Sequence, residues 1–177
     1  MRQRIIIFLA VAAVALVATT AAVAGTLTAT AQVNGTAGIS LNLPSNPSIT
    51  STLDGTDQTA SYAPLLGVVD ARGTGAGWNL TIAATDFTDG SGHTLAPGSV
   101  SAVSQACHSG SSCTTATSSG LSYPLSIGTT AAMFFHSALN SGLGKIDITP
   151  TVQVQIPGNA YAGTYTSTVT IAATSGP

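Results

Sequence analysis

Six aspartates (Asp54, Asp57, Asp70, Asp86, Asp89 and Asp147) and three histidines (His93, His108 and His136) are the side chains available for acid–base chemistry, because the sequence contains no glutamate. Glycoside hydrolysis needs two carboxylates flanking the scissile bond. Most of these aspartates stand in Gly/Thr-rich turns, where an Asp side chain caps its own backbone. A Ser-His-Asp triad is compatible with the composition, but no Gly-x-Ser-x-Gly elbow presents a serine for it. The histidines sit in polar loops or at a strand end and read as surface or satisfied groups, so no catalytic residue is expected. Asp86-Phe87-Thr88-Asp89-Gly90-Ser91-Gly92 has the oxygens and glycine of a calcium loop but lacks its bidentate Glu. No metal and no cofactor are expected.

Cys107 and Cys113 enclose His-Ser-Gly-Ser-Ser. In an exported protein such a pair reads as a local disulfide pinning a loop. The other reading, a redox or metal pair beside His108, needs two intervening residues or two further ligands. Asn34-Gly35-Thr36 and Asn79-Leu80-Thr81 fit the glycosylation pattern, which is frequent by chance in Thr-rich sequence.

The elements that must position these residues follow from composition. Among 177 residues there are four Lys+Arg, six Asp+Glu and 44% hydrophobic residues. Helix faces built on Glu, Lys and Arg are excluded, as is a charged disordered tail. Phosphate neutralisation is excluded too, which removes nucleic acid as a partner. The N-terminus has a basic start at Arg2 and Arg4, an apolar run from Ile5 to Ala18 and an Ala22-Val23-Ala24 exit. This is a signal peptide over residues 1–24, with an apolar run shorter than the ~20 residues of a spanning helix. No membrane span is expected after cleavage, and residues 25–177 read as one domain.

Period-two alternation marks strands at 26–33, 39–43, 78–84, 146–156 (interrupted at Pro150) and 165–171, with weaker candidates at 65–70, 99–103, 121–127 and 131–135. Residues 44–64 and 87–98 read as connections and 106–120 as the Cys-pinned loop. The fold class is all-β: an antiparallel β-sandwich of Ig-like or Greek-key type with eight or nine strands.

One segment stands out: Val69-Asp70-Ala71-Arg72-Gly73-Thr74-Gly75-Ala76-Gly77-Trp78-Asn79-Leu80-Thr81-Ile82. It resembles the first signature of the WxL family of bacterial surface proteins, an Asp-x-Arg-Gly turn before a Gly-Trp-x-Leu strand. The closing Pro157 to Tyr165 segment is similar to that family as well. The last strand, Tyr165-Thr166-Ser167-Thr168-Val169-Thr170-Ile171-Ala172-Ala173, departs from it in lacking a second Trp. The resemblance implies non-covalent attachment to cell-wall peptidoglycan or another surface glycopolymer, with Asp70, Arg72, Trp78, Asn79 and Leu80 as candidate ligand-binding residues. The pattern alone also allows Trp78 to be a core anchor, with Asp70 and Arg72 pairing inside the turn. The expected protein is secreted, non-enzymatic and held at the cell surface. The alternative is a self-associating subunit of a coat or filament, whose 26–33 strand adds to a neighbouring sheet.

Overall fold

Alternating apolar side chains can be buried only if a second apolar surface covers them, and here two antiparallel sheets do this for each other. The computed structural model describes residues 29–35 and 38–177. The chain divides into two compact units, Met1–Gln32 and Val33–Pro177. Of the first, residues 29–32 are described and are irregular and exposed. The expected leader over 1–24 lies outside the described residues, as do positions 26–28 of the expected first strand. Residues 29–33 of that strand are not in a sheet, which corrects the expectation.

The second unit holds β1 (Ile39–Asn42), β2 (Gln58–Tyr62), β3 (Leu66–Asp70), β4 (Trp78–Ala84), β5 (Phe87–Thr88), β6 (Thr94–Leu95), β7 (Ser99–Cys107), β8 (Leu125–Ser126), β9 (Ala132–Ser137), β10 (Gly144–Ile156) and β11 (Val169–Ser175). No helix occurs among the described residues, and none there is long and apolar enough to cross a membrane. One sheet runs β1-β3-β10-β7-β8 with β2 also on β10, a second runs β11-β4-β9, and β5-β6 is a small hairpin. Leu66, Val68, Val100, Ile146, Ile148 and Val152 from the first sheet meet Trp78, Leu80, Ile82, Phe134 and Phe135 from the second in one core. The protein is an all-β sandwich.

There are eleven strands among the described residues rather than eight or nine. The additions, β2 and the β5-β6 hairpin, are short, half-exposed and rich in Thr and Ser, so they carry little alternation. β7 continues beyond the expected Val103 to Cys107 because it pairs with β10 along its length. β10 runs unbroken through Pro150. Its partner on one side changes from β3, which ends opposite Ile148, to β2, which starts opposite Val152, and the proline falls in the gap. In β9 the register against β4 shifts between Leu80 and Thr81, so Phe134 is an extra residue and both it and Phe135 point inward.

Candidate functional site

On β3 the inward positions are Leu66, Val68 and Asp70, so alternation delivers a carboxylate to the end of the core, where it is 1% exposed. A buried charge of this kind needs a partner with matching geometry. Arg72 provides it two residues on. Its Nε donates to Asp70 Oδ1 at 2.8 Å and one terminal nitrogen donates to Oδ2 at 2.8 Å, a bidentate pair. That terminal nitrogen also donates to the Gly77 carbonyl at 2.7 Å, and the other donates to Ser175 Oγ on β11. The guanidinium hydrogen bonds hold the Asp70 carboxyl below the usual carboxylate range. Burial opposes them and is outweighed.

Between Arg72 and Trp78 the chain turns through Gly73, Gly75 and Gly77, all at positive φ (70°, 64° and 73°). The turn lies against the loop after β9: the Asn140 N–H donates to the Gly75 carbonyl at 2.8 Å. A Cβ on Gly77 would stand 2.5 Å from the Ser137 carbonyl oxygen. Glycine is required there by contact as well as by conformation.

Trp78 opens β4 with 0% exposure. Its indole N–H donates to the Gly142 carbonyl at 2.9 Å, and its ring lies 5.9 Å from that of Phe135 at 37°. Leu80 is likewise fully buried. Asn79 faces the other way, donating to the Gly176 carbonyl at 3.1 Å and accepting from Thr174 Oγ1 at 2.7 Å. Trp78 pairs with Ser175 and Ile82 with Ile171, so the segment that resembles the family's first signature lies beside the last strand, the one that departs from the family in lacking a second Trp. The structure therefore brings Asp70, Arg72, Trp78, Asn79 and Leu80 together. It encloses the indole, which offers no open ring face to a sugar.

The other candidates are scattered. Cys107 and Cys113 form a disulfide with Cα atoms 5.6 Å apart, next to the start of β10, where Cys113 bridges Gly144. His108 Nδ1 lies 2.9 Å from Asp147 Oδ1, and His136 Nε2 meets the backbone of Ser119. His93 Nδ1 lies 2.5 Å from Asp89 Oδ2, while Asp89 Oδ1 accepts from the Ser91 and His93 N–H groups at 2.8 and 3.1 Å. Both oxygens of the calcium-like loop's central aspartate are thus engaged by protein. Asp54 accepts from Thr56, and Asp57 accepts from the Gly158 N–H.

One arrangement was not legible in the sequence. His93, read as an isolated loop histidine, stacks on Tyr161 with ring centroids 3.8 Å apart and planes at 15°. The partners lie 68 positions apart in the chain, and the only local sign is the Asp89-to-His93 spacing across Gly90-Ser91-Gly92.

An antiparallel sandwich whose glycine-rich turn into β4 is held by a buried ion pair and a buried tryptophan defines a β-sandwich module. Residues 19–177 match the family model described as WxL domain surface cell wall-binding, and the chain belongs to that family. It is a cell-wall-binding family and not a family of enzymes. No curated protein matches the chain.

Proposed function

We propose that this chain is exported by its N-terminal leader and acts as a non-enzymatic module that holds itself, non-covalently, to peptidoglycan. The observation that carries the reading is the match to a surface cell wall-binding family over residues 19–177. The geometry of the Asp70–Trp78 segment supports a specific division of labour. Arg72 spends its donors on Asp70, Gly77 and Ser175, and Trp78 spends its N–H on Gly142. These residues act through the fold: they clamp β3, the glycine turn and β11 into one rigid end, and the wall is met by more exposed side chains. Export also suits the disulfide, which persists in oxidising compartments.

The test is co-sedimentation of the secreted chain with purified sacculi stripped of protein. The expected result is saturable pelleting that disappears when the sacculi are first digested to soluble fragments. Protein that stays in the supernatant at every sacculus concentration refutes the reading.

A further inference from the structure

Building on the wall-binding reading, we propose that the shelf formed by Tyr161 and His93 is the subsite that seats a sugar ring of the glycan strand. The shelf lies where the β5-β6 hairpin meets the turn between β10 and β11. Tyr161 is 65% exposed although it is one of the larger apolar surfaces in the chain. One of its ring faces is covered by His93 at 3.8 Å, so a ligand that stacks on the ring must use the opposite face. Beside it is a cavity of about 230 Å³ lined by residues that include His93, Thr94, Leu95, Asn159, Tyr161 and Tyr165. That is smaller than the ~300–1,000 Å³ typical of drug-sized ligands and suits a single ring.

The shelf is preorganised. Asp89 grips the imidazole through Nδ1, which leaves Nε2 as its remaining hydrogen-bonding atom. Tyr165 donates its hydroxyl to the Tyr161 carbonyl at 3.0 Å. The Ala160 N–H closes the turn on the Pro157 carbonyl at 2.9 Å, and Asp57 holds Gly158 from the far side at 2.9 Å. An aromatic platform held this way loses little entropy when a ligand arrives.

The chemistry of the lining selects the ligand class. A pyranose presents weakly positive C–H groups on one face, which match the negative face of an aromatic ring, and hydroxyls at its rim. Here the ring face is Tyr161, and the rim partners are the Asn159 amide, the Thr94 hydroxyl and His93 Nε2. No lysine or arginine lines the cavity, which disfavours an anion. Its polar groups disfavour a purely apolar guest.

The test compares four forms of the full chain, expressed with its own N-terminal segment, for binding to sacculi freed of accessory polymers: wild type, Tyr161→Ala, Tyr161→Phe and Leu139→Ala. Leu139 is 63% exposed and serves as a remote apolar control. Thermal melts establish that each variant is folded, as the exposure of both side chains leads one to expect. The expected result is binding at least about five-fold weaker for Tyr161→Ala, with Tyr161→Phe and Leu139→Ala close to wild type. Wild-type pelleting that Tyr161→Ala leaves unchanged overturns the subsite and spares the wall-binding reading. Failure of wild type to pellet removes the wall-binding reading, and the subsite with it.

Discussion

Asp70 and Arg72 form a desolvated pair: their side chains are 0% and 9% exposed, and each satisfies the other in a bidentate geometry. Removing one member leaves the other's charge or hydrogen-bonding groups uncompensated, so Arg72→Ala is expected to cost about 3–5 kcal/mol in urea unfolding. A loss below about 1 kcal/mol would mean that the pair is a surface contact. The pH dependence has a definite sign. Because Arg72 lowers the Asp70 pKa in the folded state, the folded chain binds that proton less readily than the unfolded chain does. The pair's contribution is therefore complete above the unfolded value of ~3.9 and is lost as pH falls through the lower folded value. Asp54 and Asp89 are also shifted down, so the informative quantity is the gap between wild type and Asp70→Asn. That gap should be widest near neutral pH and close in strong acid; a gap constant across the range refutes the assignment. Gly142 is a second exacting position. Its φ is 70°, and a Cβ there would stand 2.1 Å from Ser137 Oγ and 2.7 Å from Trp78 Nε1. Glycine at this point is what lets the indole reach its carbonyl partner.

Among the elements, β4 and β10 were legible because their inward positions are large and apolar at strict period two: Trp78, Leu80 and Ile82 on one, Ile146, Ile148, Val152 and Val154 on the other. The edges were not, and the reason is the same throughout. β2 and the outer half of β7 are sheet because of the strands they pair with, and their own Ser, Thr, Gln and Ala side chains are half-buried or exposed in β2 and exposed in β7. β9 hid its length behind a bulge that places two phenylalanines in succession on one face. The candidate site was legible as a segment, since the Asp-x-Arg-Gly-to-Trp78 spacing marks a turn entering a strand. Its inward or outward sense was not, because that depends on Gly142 and Ser175, which are 64 and 103 positions from their partners. The Cys107–Cys113 link acts at the same scale: it ties the end of β7 to a loop that bridges the start of β10. The closed loop is short, so Cys107→Ser with Cys113→Ser is expected to lower stability by only about 2 kcal/mol. Amide exchange should quicken mainly in residues 106–120, and exchange accelerated equally across β4 and β11 would contradict a local role.

Over the whole molecule, charge is scarce: four basic and six acidic side chains, two of the basic ones at Arg2 and Arg4. Of the other two, Arg72 is occupied by Asp70, Gly77 and Ser175, which leaves Lys145 as the remaining basic side chain for contact with an acidic polymer. Long-range attraction to such a polymer has little to draw on, and the formal net charge of −2, which becomes −4 without Arg2 and Arg4, works against it. Attachment must then rest on short-range stacking and hydrogen bonding, which salt screens weakly. Screening shortens the reach of charge from ~10 Å at 0.1 M to ~3 Å at 1 M ionic strength. Pelleting with sacculi is therefore expected to change by less than about two-fold between ~0.1 M and ~1 M sodium chloride. Any small trend should be towards tighter binding at high salt, since what is screened is repulsion. A fall of ten-fold or more over that range would place the affinity in ion pairs and would direct attention to Lys145 instead of the aromatic shelf.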